Sequence, residues 1–367
     1  MNTYLAKTSL LFGALAMSAL VVGCKKKEGA GDEAAIVKEA PPAPTTAVIL
    51  NGSGSTFQKT YQEVAIEAFT KANDGIKINY GGGGSGKGRQ DLADQVVDFA
   101  GTDSAYKDAD LAKNKGGDVL YFPVLLGPIT VSYNLEGVDK LKLSPETIAK
   151  IFQRDIKTWN DAAIAAENPD VKLPATPIVV AHRSDGSGTT DNFTKYLDQT
   201  VGAAGGGTVW KLKSGSTVEW SADTQAGQGN AGVAQIVKST AGAIGYIDLS
   251  DAKASGLKYA SIKNQAGAYV EPSADAASAA GDGIEIKENL LFSALNAKGE
   301  TSYPITYQSW VIVYAKQTDK AKAAALKSYL TYLLGDGQKS LAELDFAPLP
   351  ASLHDKAMAQ LDKLQIQ

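Results

Sequence analysis

The chain has 367 residues, of which 44% are hydrophobic and 21% charged, a composition that suits a globular protein of one or two sizeable domains. A formal net charge of −4 provides no basic field for nucleic acid, so any bound anion must be held by local donors rather than by bulk attraction. A single cysteine excludes a disulfide framework, and 37 glycines point to tight turns and backbone-lined loops.

Residues 1–24 are expected to be a targeting segment. Lys7 supplies a short positive region, and Leu10 to Val22 is an apolar stretch too short to span a bilayer comfortably. The stretch ends in Val21-Val22-Gly23-Cys24, which resembles the bacterial lipobox, whose cysteine becomes the lipidated first residue after cleavage. An ordinary signal peptide with a chance cysteine is the alternative. Residues 25–46, rich in Lys, Glu, Gly, Ala and Pro, cannot bury a core and are expected to form a flexible tether.

Beyond residue 46, an apolar strand-like run is followed three times by a Gly/Ser/Thr cluster and then by a helical pattern. The first is Ala47 to Leu50, then Asn51-Gly52-Ser53-Gly54-Ser55-Thr56, then Tyr61, Val64, Ala65, Ala68 and Phe69 at helical spacing. The second is Ile76 to Tyr80, then Gly81-Gly82-Gly83-Gly84-Ser85-Gly86, then Leu92, Val96 and Val97. Strand runs are expected at Val97 to Ala100, Val119 to Val124 and Ile129 to Tyr133. The third junction is Ile178 to Val180, then Arg183 to Thr190, then Phe193, Tyr196 and Leu197. Strands alternating with helices imply an α/β fold with largely parallel sheets. A helix N-terminus leaves backbone N–H groups unpaired and carries partial positive charge. Three such junctions of like chemistry suggest one buried oxyanion held by converging helix ends. Interdomain crossings are expected at Phe122 to Pro128 and at Tyr303 to Thr306, which would return the chain to its first domain and leave a ligand between two hinged lobes.

Other chemistries fit less well. Gly81 to Gly88 approaches a nucleotide-binding loop, but Gly88 stands where a magnesium-ligating Ser or Thr is needed, and an exported protein meets no ATP. Ser187 lies outside a Gly-x-Ser-x-Gly elbow, and only His182 and His354 are available as bases. Two distant histidines and a cysteine already assigned to the anchor leave no metal cluster, so neither metal nor cofactor is expected. Asp103 at an anion site makes sense if the ligand carries its own proton, because an ionised carboxylate only accepts hydrogen bonds. Arg183 offers a planar fork for two oxygens, and Asp185 is placed to hold that fork.

These residues resemble the periplasmic phosphate-binding proteins of bacterial high-affinity phosphate ABC transporters, the PstS family. The likeness runs from about residue 47 to about 355. It includes Gly52 to Phe57, Tyr80 to Ser85, Val97 to Asp103, Arg183 to Thr189, Gly242 to Tyr246 and Leu344 to Pro350. The resemblance implies a two-lobed α/β Venus-flytrap fold, each lobe a mostly parallel sheet flanked by helices, with the ligand in the interdomain cleft. Residues 47–125 plus 304–367 would form the first lobe and 126–303 the second. Carried over, Thr56 and Phe57 would contact phosphate with hydroxyl and backbone N–H, Ser85 would do so at the second helix, and Asp103 would accept the ligand's proton. Arg183 would bind the oxygens with Asp185 as its partner, and Ser187, Gly188 and Thr189 would add donors at the third helix. Lys87 could face solvent or add charge at the cleft mouth. The implied protein is a non-enzymatic monomer, lipid-anchored through Cys24 and facing the periplasm or exterior, that hands phosphate to a membrane permease. Alternatives are a same-fold binder of sulfate or molybdate and a Ser-dependent phosphoesterase.

Overall fold

The structure, a computed structural model, describes residues 47–112 and 114–366; the expected anchor Cys24 and tether lie outside the described residues. Runs that include Val, Ile, Phe and Tyr form β1 (Val48–Gly54), β2 (Ile76–Gly82), β3 (Phe99–Thr102), β4 (Val119–Tyr133), β5 (Val179–Arg183), β7 (Ala243–Asp248) and β8 (Thr306–Tyr314), and the short Gln-Ala-Gly segment Gln225–Gly227 forms β6. They lie side by side in one mixed sheet in the order β2-β1-β3-β8-β4-β7-β5-β6, with short Lys258–Tyr259 added against β4. β1 is parallel to β2 and β3, and β5 is parallel to β6 and β7. The middle is antiparallel, because β8 runs against both β3 and β4, and β4 runs against β7. Each outer part of the sheet is thus the parallel arrangement expected of an α/β lobe.

β4 departs from the sequence expectation. Two strands interrupted by a crossing were expected, yet one 15-residue strand runs through Pro123, Gly127 and Pro128. A ladder tolerates proline only where an N–H is not required. Ser309 faces Leu125 and Trp310 faces Pro123, so Val124 is the extra residue of a bulge beside that proline. At Pro128 the pairing of β4 ends with β8, and from Ile129 it continues with β7. Tyr121 to Tyr133 are all buried, as befits a strand covered on both faces.

Five helices matter for the site: α1 (Lys59–Ala72), α2 (Ser85–Ala93), α3 (Gly188–Val201), α4 (Gly229–Ser239) and α5 (Lys320–Leu334). α1 buries Tyr61, Gln62, Ala65 and Phe69, whereas Val64 and Ala68, expected on the inner stripe, are exposed. α2 stops at Ala93, before Val96 and Val97, because Gln95 turns with φ 61°. α3 buries Phe193, Tyr196 and Leu197 as expected. Gly88, the residue that rules out a nucleotide loop, is required for packing: a Cβ there would lie 2.6 Å from the Gly54 Cα.

Candidate functional site

β1–β3 run opposite to β5–β7, and their carboxyl ends face each other across the middle of β4, where β3 ends level with Pro123 and β7 ends level with Ile129; the ends of parallel strands are where ligands of α/β sheets bind. β1 leads through Ser55 and Thr56 to α1, β2 leads through Gly83 and Gly84 to α2, and β5 leads through Ser184 to Ser187 into α3. A fourth junction, from β6 through Gln228 into α4, joins them. Main-chain bonds fasten these loops together: Gly84 N–H to Gly54 O (2.9 Å), Gly86 N–H to Gly186 O (2.8 Å) and Ser184 N–H to Gly227 O (3.0 Å). The Asn230 N–H also reaches Thr56 Oγ1 at 3.3 Å. Gly84 holds φ +90°, and a Cβ there would stand 2.1 Å from Asp185 Oδ2, so only glycine suits that approach.

Asp103 sits at the end of β3 and is 1% exposed. Its Oδ1 accepts from Ser55 Oγ (2.6 Å) and Ser309 Oγ (2.5 Å), and its Oδ2 accepts from Ser85 Oγ (3.0 Å). Burial pushes its ionisation above the usual carboxylate range; the hydroxyls of Ser309, Ser55 and Ser85 and the charge of Arg183 oppose that shift. The Cβ of Asp103 stands 2.6 Å from where a side chain on Gly188 would begin, so α3 starts directly against it.

Arg183 ends β5 and is 5% exposed. Its Nε and Nη2 grip Asp185 Oδ1 and Oδ2 at 2.8 and 2.5 Å, and its Nη1 donates to Asn230 Oδ1 at 2.9 Å. Asn230 presents that carbonyl because its amide donates to the buried Asp248 Oδ2 at 2.6 Å. Asp185 is held below the usual range: its burial acts the other way, but the guanidinium and the Gly229 N–H at 2.9 Å outweigh it. Arg183 and Asp185 together are formally neutral, so Asp103 leaves the cluster with a negative charge, and any anion here must be stabilised by aligned N–H groups and helix dipoles.

All the sequence-predicted binding positions meet in this network. Thr56 is linked to Arg183 through Asn230, and the Phe57 N–H donates to Ser55 Oγ at 3.1 Å. Ser85 directs its hydroxyl hydrogen to Asp103, which leaves its main-chain N–H, the first of α2, facing out of the helix end. Ser187 caps α3 by accepting from the Thr190 N–H at 3.0 Å. Thr189 Oγ1 lies 3.5 Å from Arg183 Nη1 and 3.3 Å from the Tyr307 hydroxyl. The His182 ring is engaged elsewhere, with Nδ1 3.0 Å from Arg183 O and its plane stacked on Trp220. Lys87 pairs with Asp91 at 2.6 Å and its side chain is 55% exposed, a solvent-facing ion pair. No group of three metal-ligating side chains occurs among the described residues.

The sequence reading missed four contributors. Ser55 lay within a flagged cluster without an assigned role. Asn230 follows Gly227-Gln228-Gly229, a glycine signal after a strand of three residues, too short for periodicity to reveal. Ser309 and Tyr307 lie on the fully buried β8, where nothing in the pattern separates a site residue from a core residue.

Comparison with known proteins follows the same lines. Residues 40–337 match the model of a PBP superfamily domain. A phosphate-binding protein PstS of Xylella fastidiosa strain Temecula1 is 33% identical over 365 residues, covering 96% of each chain. One from Methanocaldococcus jannaschii is 36% identical over 321 residues, 81% of this chain and 80% of its own. Among solved structures, the high affinity periplasmic phosphate-binding protein PfluDING, bound with phosphate, superposes with a TM-score of 0.72 at 20% identity, over 85% of this chain and 94% of that one. A putative phosphate ABC transporter substrate-binding protein from Clostridium perfringens, with bound phosphate, gives 0.62 at 18% identity, over 83% and 100%.

Proposed function

This chain belongs to the PBP superfamily and, within it, to the PstS family of phosphate-binding proteins, and from that premise we propose that it captures inorganic phosphate in a hinged cleft and delivers it to an ABC-transporter permease. The lobes are residues 47–125 with 304–367, and residues 126–303. β4 and the chain entering β8 serve as the hinge. The contacts are the Thr56 hydroxyl, the N–H groups of Phe57, Ser85 and Gly188, the fork of Arg183 and the hydroxyls of Ser187 and Thr189. Asp103 takes the ligand's P–OH hydrogen, and Asp185 keeps Arg183 in plane.

One observation carries this reading: a buried carboxylate, Asp103, set among helix N-termini and opposite a guanidinium. A carboxylate repels an unprotonated dianion and accepts from a protonated one, which is the distinction between phosphate and sulfate at neutral pH. Because the cluster lacks net positive charge, affinity arises from hydrogen bonds formed in a dry, low-dielectric site rather than from attraction at a distance. The site binds and releases its ligand unchanged; Ser187 serves as a helix cap and donor. The working protein is a monomer, exported and anchored through lipid on Cys24, with 25–46 as its tether.

The test is calorimetric titration of the protein, stripped of ligand, with phosphate and then sulfate at neutral pH. One-to-one phosphate binding without sulfate heat supports the proposal. Sulfate binding removes Asp103 from its role, and binding of neither anion overturns the assignment.

A further inference from the structure

A line of buried side chains leads away from Asp103 toward the far side of the first lobe. The Ser309 hydroxyl on β8 donates to Asp103 Oδ1 at 2.5 Å. Ser309 Oγ accepts in turn from Gln58 Nε2 at 2.7 Å. Gln58 Oε1 accepts from Gln62 Nε2 at 2.7 Å, one turn along α1. Gln62 Oε1 accepts from the Tyr329 hydroxyl on α5 at 2.6 Å. Gln58, Gln62, Ser309 and Tyr329 are each 0% exposed. The four bonds all point the same way, each group donating toward the carboxylate, with Tyr329 as the outermost donor. A glutamine buried at the N-cap of α1 and another one turn on, in its core-facing stripe, are costly unless both amide ends are satisfied. Here each amide joins its neighbours in series, and Gln58 Nε2 also reaches Trp310 O at 3.0 Å.

We propose that Tyr329, Gln62, Gln58 and Ser309 form a positioning relay that holds Asp103 ionised and turned so that Oδ2 accepts the ligand's proton, and that this relay sets discrimination against unprotonated oxyanions. The inference rests on the phosphate reading above. Its physical basis is twofold. Oδ1 is saturated by Ser55 and Ser309, while Oδ2 has only Ser85, so the remaining acceptor capacity lies on Oδ2. Hydrogen bonds in a chain within a low-dielectric core polarise one another, so the last donor is stronger for having the others behind it. A carboxylate as buried as Asp103 needs that support, because burial alone favours its neutral form. The other groups facing it are Arg183 from β5, whose charge favours ionisation, and the neutral phenols of Tyr80 from β2 and Tyr307 from β8.

Once protonated, Asp103 becomes a donor; it then loses its preference for P–OH and gains one for a fully ionised oxyanion. Removing the relay therefore moves the acid limb of phosphate binding to higher pH and admits sulfate at the acid end. The experiment is phosphate and sulfate titration from pH 4.5 to 8 on the unmodified protein, Ser309→Ala, Ser309→Thr and Tyr329→Phe. Ser309→Ala is expected to weaken phosphate roughly tenfold at neutral pH, shift the acid limb upward and bind sulfate at the acid end. Ser309→Thr, which keeps the hydroxyl, is expected to restore the native profile. Tyr329→Phe, which removes only the most distant donor, is expected to give a smaller shift of the same sign. An unmoved acid limb with sulfate still excluded in Ser309→Ala, or in Tyr329→Phe should Ser309→Ala not fold, overturns the relay. Failure of the unmodified protein to bind phosphate overturns the underlying reading instead.

Discussion

Arg183→Lys keeps the positive charge and removes the fork. Arg183 uses Nε and Nη2 on Asp185 and Nη1 on Asn230, at 2.8, 2.5 and 2.9 Å, which fixes the guanidinium plane before any ligand arrives. A lysine ammonium is a point donor; it cannot hold both Asp185 oxygens and also reach Asn230 and a phosphate oxygen. At least one bond within the protein and one to the ligand are lost. The bond within the protein is lost in the free and bound states alike and is read in stability, whereas the charge-assisted bond to the ligand, at about 1.5–3 kcal/mol, is read in affinity. That corresponds to roughly a tenfold to hundredfold rise in dissociation constant. Titration calorimetry with phosphate measures it directly, and a melting curve of the ligand-free variant checks that the fold persists. A dissociation constant within about threefold of the native value would refute the argument that the fork, rather than the charge, holds the oxygens.

Asp103→Asn is expected to weaken phosphate and admit sulfate, since an amide can present a donor to an unprotonated oxygen; continued exclusion of sulfate in titrations would contradict this. The raised ionisation of Asp103 means that the folded state retains its proton to higher pH than the unfolded chain, so stability falls as pH rises through that interval. The same Asp103→Asn variant should therefore melt higher than the native protein at neutral pH without ligand. Gly88→Ala places a Cβ 2.6 Å from the Gly54 backbone and should cost about 1–3 kcal/mol in denaturant unfolding. Cys24→Ala should move the protein from the membrane fraction to the soluble fraction on ultracentrifugation, and mass spectrometry should find no lipid on it.

What was legible in the sequence was whatever local chemistry determines. The glycine-rich ends of β1 and β2 and the Arg183 to Thr190 segment announced helix N-termini, and Asp103 stood out because an acidic residue conflicts with an anion site. Phe193, Tyr196 and Leu197 kept strict helical spacing and all face inward. Where tertiary context decides, local signals failed. The prolines of β4 read as breakers because the sequence does not show that a bulge at Val124 absorbs one of them and that a change of partner occurs at the other. Val64 reads as core, and nothing in the sequence marks Gln62 as buried; its hydrogen bonds bring together residues 267 positions apart. Ser309 is one hydroxyl in a nine-residue strand buried throughout, and only its neighbour across space gives it a role.

The contact between the two glycine loops, Gly86 N–H to Gly186 O, is made entirely by main chain, with Gly186 O also 3.0 Å from where a side chain on Gly86 would begin. Such a seam contains nothing that titrates and nothing for counterions to screen. This seam should therefore hold with the same strength in brackish and fresh surroundings, and in acid as well as neutral ones, while the response to pH belongs to the carboxylates around it, Asp103 and Asp185 among them. The seam is sensitive instead to bulk: nearly any side chain at Gly84 or Gly86 would act as a wedge, so drift at these positions is restricted by volume and not by charge.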